Sequence, residues 1–373
     1  MLRNLILSFL TKLGLAAALS LSLVVGVCAE DNGKTVHFLN WAEYIPDDIL
    51  SGFTTASGYT IQQNYFDSDD MLNAEIIAGN SGYDLALPSL DTMQQEVAAG
   101  VLMPLDKSQL PNYKYINPAL YKITAEIDPD NKYGIIYDYG TTGIAYNVDI
   151  IKKVLGPDVK IDSWDFLLNP KYIKKLQTCG VAYLDDSGQV LGITLHYLGM
   201  DPNTTNPADL RKATAYIMSI RPYLTYFDNT RYIADLASGN ICIAMGYSGD
   251  VLHAQQQADQ ANDNVHIQYV LPKDGAPIWF DMLAIPKDAP NPKGALAFIN
   301  YLLEPKVAAD LSNFLYQPGG NAAALPYLEP VLSDPNISPP PEMMGKLFDV
   351  LKPPPGTDTL ISELWFEIRY GVK

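Results

Sequence analysis

Histidine and cysteine are scarce, four and three among 373 residues, and that scarcity removes the commonest routes to metal-dependent chemistry. His37, His196, His253 and His266 have no metal-ligand spacing. The chain also lacks an HExxH, a nucleophile elbow, and clustered glycines beside a basic residue of the kind that cradles a phosphate. Basic residues are the minority, 25 Lys and Arg against 42 Asp and Glu, for a formal charge of −17. A surface of that sign repels nucleic acid and anionic membrane and favours encounter with cations.

Long apolar runs are confined to the start. Arg3 and Lys12 precede an apolar body from Leu13 to Val27, which closes in Val27-Cys28-Ala29. This reads as a secretory signal peptide over 1–29 rather than a membrane span. Val27 is a poor residue for lipoprotein cleavage before Cys28, so cleavage is expected after Ala29. Loss of Arg3 and Lys12, with no acid in the leader, takes the charge from −17 to −19. The 344 residues left exceed what one core usually supports, so two lobes are expected. Of the cysteines only Cys179 and Cys242 then remain, an even pair in an oxidising compartment. They read as a disulfide, with two buried thiols as the alternative.

What the chain does have is a repeated pattern of short apolar runs, helical segments between them, and polar or aromatic groups where each run ends. Alternation of this kind through short connections indicates a mostly parallel α/β sheet, whose strand ends point into the ligand crevice. Val36 to Leu39 ends in Asn40-Trp41-Ala42-Glu43-Tyr44. An indole, a carboxylate and a phenol there suit a cation with an apolar stem; the plainer reading keeps Trp41 and Tyr44 in the core. Tyr83 to Leu87 ends in Pro88-Ser89, where Ser89 lies at the same rim and also reads as a helix cap. Asp185, Asp186 and Gln189 follow the strand that begins near Cys179, and the two acids read first as a helix start. Asp228-Asn229-Thr230 follows another strand. Ile241 to Met245 ends in Gly246-Tyr247-Ser248-Gly249-Asp250, so Asp250 is either a cap or a ligand group.

Asp281 lies inside the apolar run from Ile278 to Pro286, where an unpaired charge is costly, and Trp279 shares its face if the segment is extended. A cation site and a protein salt bridge both fit. Between Ile135-Ile136-Tyr137 and Ile144-Ala145-Tyr146, the stretch Asp138 to Gly143 reads as a bend in an extended connection, and one interlobe crossing is placed there. Leu315 to Asn321 reads as a loop able to approach a crevice closely, and a helix from Leu360 to Tyr370 carries Trp365 as a core residue.

The stretches HFLNWAEYIPDDIL, YDLALPS, YGTTGIAYN, SGNICIAMGYSGDV and IWFDMLAIP occur in order between Val36 and Phe366. Together they resemble the periplasmic polyamine-binding proteins of the spermidine and putrescine ABC transporters. The resemblance implies the α/β, two-lobe periplasmic solute-binding protein fold, each lobe a mostly parallel sheet flanked by helices, with the ligand in the interlobe cleft. The chain would divide into a first lobe over 30–140, a second over 141–274, a return to the first over 275–318, and a C-terminal helical segment over 319–373 packing across both. The ligand contacts implied are Trp41, Glu43, Tyr44 and Ser89 from the first lobe, Tyr247, Asp250 and Asn229 from the second, and Trp279 and Asp281 near the return crossing.

Four positions depart from the family pattern. Gln189 stands where putrescine-binding relatives commonly have glutamate, Ala42 where a hydroxyl is usual, and Tyr247 where tryptophan is frequent. The aromatic of the late loop is either Tyr316 or replaced by Gln317. The function implied is that of a monomeric, non-enzymatic periplasmic carrier that takes a small cationic ligand, putrescine or spermidine, and hands it to an ABC transporter permease in the inner membrane. It would need no cofactor and bind no nucleic acid. The alternatives are a solute-binding protein for another organic cation, such as thiamine or a basic amino acid, and a secreted hydrolase using Glu43 and Asp281 as acid and base.

Overall fold

Strand β1 (Thr35–Asn40) lies between β2 (Thr60–Tyr65) and β3 (Leu85–Ala86) and runs parallel to both. The computed structural model that shows this describes residues 33–261 and 265–372; the expected leader lies outside the described residues. The helices Asp47–Ser57 and Asp69–Ala78 make the crossovers that parallel neighbours require. Gly58, at φ 74°, ends the first of them, and the Ser68 hydroxyl caps the second by accepting from Met71 N. Val36, Phe38 and Leu39 are buried, as a central strand covered on both faces demands.

The element that joins the two halves is β4 (Gly134–Asn147), fourteen residues long and buried throughout. From Gly134 to Thr141 it pairs antiparallel with β9 (Ile278–Ala284), and β9 reaches β3 through Ala86 and Ala284. From Thr142 to Tyr146 it pairs with β7 (Ile243–Tyr247), and from Ile144 to Asn147 with β8 (Ile267–Val270) on its other side. Beyond β7 lie β5 (Val181–Tyr183) and β6 (Tyr226–Phe227), giving the order β2-β1-β3-β9-β4-β7-β5-β6. Only β9 in the first sheet and only β4 in the second run against their neighbours. The stretch read as a bend at 138–143 is instead an unbroken part of β4, which changes partner between Thr141 and Thr142.

Two large, separate cores follow from this arrangement among the described residues. The first gathers Phe38, Phe53, Ile135, Phe280 and Phe298, with Phe53 and Phe38 set 4.8 and 6.0 Å from the Phe298 ring. The second gathers Ile144, Trp164, Tyr183, Tyr232 and Met245. Each fully buried side chain of this size contributes about 2–3 kcal/mol relative to exposure, so each lobe holds an independent apolar centre. Trp164 belongs wholly to the second, its indole donating to Gly275 O at 2.7 Å.

The chain's end leans on both cores unequally. The helix Pro355–Tyr370 buries Leu364 and Ile368 in the second core, and Arg221 Nη2 donates to Arg369 O at 2.6 Å. The stretch before it touches the first lobe, with Leu347 packed against both cores and Lys352 paired to Asp70 at 2.9 Å. Cys179 and Cys242 form a disulfide just before the neighbouring strands β5 and β7, their Cα atoms 5.4 Å apart.

Candidate functional site

The β4–β9 ribbon forms the floor of the region where the two lobes meet. Register sets Asp138 opposite Asp281 and Gly140 opposite Trp279, while Thr142, two residues on, stands opposite Tyr247 of β7. Alternation along each strand therefore places Asp138, Gly140 and Thr142 of β4 on one face with Trp279 and Asp281 of β9. A side chain on Gly140 would collide with the indole of Trp279, so glycine is what lets that ring lie across the floor. The Tyr247 ring meets Trp279 edge-on, with centroids 6.3 Å apart.

The turn after β1 closes over this floor. Trp41 N donates to Asn40 Oδ1 at 2.8 Å, Trp41 packs on Phe66 at 4.1 Å, and Glu43 adopts a left-handed backbone at φ 58°. The Tyr137 hydroxyl holds the Tyr44 carbonyl at 2.6 Å. So fixed, the Tyr44 hydroxyl stands 2.9 Å from Asp281 Oδ2 and 3.0 Å from Gln317 Oε1. Ser89 forms an isolated bridge with Asp281 and donates its N–H to Asp69 Oδ1 at 3.3 Å. Its hydroxyl does not cap the helix Leu90–Ala99 that follows.

From the second lobe, Asp250 sits in the first turn of the helix Ser248–Ala261 rather than before it, and its Oδ2 accepts from Tyr232 OH at 2.7 Å. Tyr247 OH donates to Asp186 Oδ2 at 3.1 Å, while Asp186 Oδ1 caps the helix Ser187–Tyr197 by accepting from Gln189 N at 3.0 Å. The structure thus links Tyr44 with Asp281 and Gln317 on one side, Trp279 with Tyr247 across the lobes, and Tyr247 through Asp186 with Gln189. Glu43 stays exposed at the mouth.

Two expected contacts stand apart. Asn229 Oδ1 accepts from Asp185 N at 2.8 Å and its Nδ2 donates to Asp185 O at 3.2 Å, so its amide ties the β5 and β6 exits together. Asp185 itself turns outward to Arg369 and Trp365. In the late loop, Tyr316 takes a left-handed conformation at φ 55° and faces His253 and Gln256, which leaves Gln317 as the side chain turned to Tyr44.

Burial dominates the electrostatics. Asp281, 7% exposed, is pushed up to about 7 by desolvation, against which the Tyr44 hydrogen bond pulls downward. Asp138, 1% exposed, is raised well above the usual carboxylate range by desolvation and then by the charge of Asp281. Asp186 and Asp250 are also raised, chiefly by burial. Buried polar atoms are nearly always hydrogen-bonded, yet both Asp138 oxygens, Gln189 Oε1, Thr142 Oγ1 and Trp279 Nε1 have no protein partner. Four of these five atoms can accept a hydrogen bond, which is the complement of a ligand rich in N–H donors.

Asp138 and Asp186 join the candidate site through the structure. Asp138 carried the same signal as Asp281, an acid between apolar runs, but the neighbouring glycines made it read as part of a bend.

Two α/β lobes joined through the one strand β4, with buried carboxylates and rings where the two sheets meet, define a two-lobe solute-binding protein. The chain belongs to the bacterial extracellular solute-binding protein family, which matches residues 49–338. It is 42% identical over 349 residues to the putrescine-binding periplasmic protein SpuD of Pseudomonas aeruginosa strain UCBPP-PA14, covering 93% of this chain and 95% of that one. It is 40% identical over 360 residues to the putrescine-binding periplasmic protein PotF of Escherichia coli K12, covering 96% and 97%. In structure it is similar to the spermidine/putrescine ABC transporter substrate-binding protein PotD of Streptococcus pneumoniae, with a TM-score of 0.79 and 26% identity over 90% of this chain and 99% of that one. All three are named as binding proteins. Among the described residues no helix is long and apolar enough to cross a membrane.

Proposed function

We propose that the protein binds a polyamine, putrescine or spermidine, in the periplasm and delivers it to an ABC transporter permease in the inner membrane. The observation that carries this is Asp281, a buried carboxylate held by Tyr44 on the same face as Trp279, where both sheets meet. An ammonium there finds a counter-charge, and the methylene stem beyond it finds ring faces. Asp250, Asp186 and Gln189 stand on the far lobe for the other end of the ligand. Trp41, Glu43 and Ser89 complete the near side, and Asn229 acts at one remove by holding Asp185.

On this reading the leader over 1–29 exports a protein that works as a monomer and without catalysis. Glu43 is exposed while Asp281 is already bonded to Tyr44, an arrangement that favours ion pairing over acid–base work. The lobes divide as 30–140, 141–274 and 275–318, with 319–373 leaning on both; the partner change at Thr141 and Thr142 supports the first boundary.

The test is calorimetric titration of the mature, ligand-stripped protein with putrescine, cadaverine, spermidine and spermine, repeated with Asp281→Ala. Saturable one-to-one heat for at least one polyamine, lost in D281A, is expected. Absence of heat from all four overturns the reading.

A further inference from the structure

Asp138 is the deepest carboxyl of the site and the least provided for. It is 1% exposed, and neither of its oxygens has a hydrogen-bond donor. The strand register sets it directly opposite Asp281, and directly opposed residues of an antiparallel pair hold their Cβ atoms about 4.5–5.5 Å apart. The two carboxyls are within hydrogen-bond reach of each other, but two carboxylates only accept. A bond between them exists only when one carries a proton. The single proton of Tyr44 is directed to Asp281 or Gln317.

The surroundings offer only slight relief, since burial and the charge of Asp281 outweigh what the Tyr44 hydroxyl can lower. Tyr44 comes from the turn after β1, Tyr137 from β4, and Asp69 and Asp91 from the helices Asp69–Ala78 and Leu90–Ala99; none is cationic. The helix Ser248–Ala261 packs on β4 through Ser248 Oγ, which accepts from Thr141 N, and carries Asp250, already held by Tyr232, and His253, turned to Tyr316. Two ionised carboxylates so close in a buried site repel strongly, and an uncompensated buried charge costs several kcal/mol.

We propose that Asp138 is a second anchoring carboxylate for the ligand ammonium held by Asp281, and that the two carboxyls share one proton until that ammonium displaces it. The inference rests on the polyamine reading and extends it to the chemistry of the ligand's end. A primary ammonium brings three N–H donors and a full positive charge, so it satisfies both carboxylates at once. The exchange balances: the ammonium enters as a cation, the pair passes from one negative charge to two, and the displaced proton leaves to solvent. The pair therefore selects an unsubstituted terminal amine. Methylation of that nitrogen removes the donors the two carboxylates need.

The experiment is calorimetric titration with putrescine at pH 7.5 in phosphate and in Tris, whose ionisation heats differ widely, for the wild type and for Asp138→Asn. The wild type is expected to release about one proton per ligand, seen as a buffer-dependent heat, and to lose affinity by up to about tenfold per pH unit on further acidification. D138N is expected to release little and to bind with a flatter pH profile. N,N,N′,N′-tetramethylputrescine is expected to bind the wild type at least about tenfold more weakly than putrescine. Putrescine binding with identical heats in both buffers overturns the shared proton and leaves the polyamine reading standing. No binding of putrescine, spermidine or the other polyamines overturns both. The wild-type buffer comparison needs no variant, so it decides the point even if D138N fails to fold; equal proton release in a folded D138N overturns the role of Asp138.

Discussion

Gly140 of β4 faces Trp279 of β9 across the ladder, and the indole occupies the space a side chain on Gly140 would fill. The floor of the cleft is flat at this point because one strand gives up its side chain to the other. Gly140→Ala is therefore expected to push the ring off the floor and raise the polyamine Kd at least about tenfold, the scale of one lost cation–π contact with a desolvated ligand. Titration of G140A alongside its tryptophan fluorescence checks this. Unchanged affinity would show that Trp279 does not hold the ligand.

Glu96 gives the protein a pH dependence outside the cleft. It is fully buried on the helix Leu90–Ala99, neither oxygen has a partner, and burial followed by the charge of Asp69 pushes it up to about 8. Its folded form thus keeps a proton that the unfolded form releases near 4.5. Between about 4.5 and 8 the unfolded state binds fewer protons, so stability falls as pH rises and levels off above 8. Asp349, likewise raised to about 8 by burial, acts in the same direction. The expected outcome is a melting temperature higher at pH 5 than at pH 8, and Glu96→Gln raising the pH 8 value by about 3 °C or more. Thermal melts across that range would refute the role of Glu96 if E96Q left the slope unchanged.

The Cys179–Cys242 bridge closes a loop of 63 residues in sequence separation. On the chain-entropy model such a closure is worth about 4 kcal/mol. It sits before β5 and β7, whereas Tyr247 is the far end of β7 and Asp186, Gln189 and Asp250 lie after those strands. Replacing both cysteines by alanine is thus expected to lower the denaturation midpoint while leaving polyamine affinity within about twofold of the wild type. Denaturant unfolding and calorimetry on the same preparation separate the two effects. A large loss of affinity in the folded variant would show that the bridge shapes the cleft.

Much of the fold was legible because the strands are short apolar runs with polar exits, and β1, β3, β7 and β9 all appear in the sequence that way. Trp41, Tyr44 and Tyr247 stood out for the same reason, since rings at strand ends are visible without knowing the partners, and Asp281 stood out as an acid inside an apolar run. What the sequence hid is set by register. Asp138 faces Asp281 only because β4 pairs with β9 across a long separation and with a bulge between Ile136 and Asp138. No local period reveals such a pairing. The Tyr316 and Gln317 ambiguity is of the same kind. One residue in a left-handed conformation decides which of the two side chains turns inward, and an unusual backbone angle at a tyrosine has no sequence signal. Asn229 is implied as a ligand group by the family resemblance, yet the distant carbonyl and amide of Asp185 occupy its side chain.

β4 belongs to two sheets at once, and this makes the lobes inseparable as building parts. A cut between Thr141 and Thr142 would leave the first part of β4 paired with β9 and the second part paired with β7 and β8. The first sheet still needs β9, which follows the whole second sheet in sequence, so the first lobe cannot be taken out as one uninterrupted stretch of chain. An unfolding event that frees β4 takes an inner strand from both sheets together, so the two apolar centres are expected to melt in one transition.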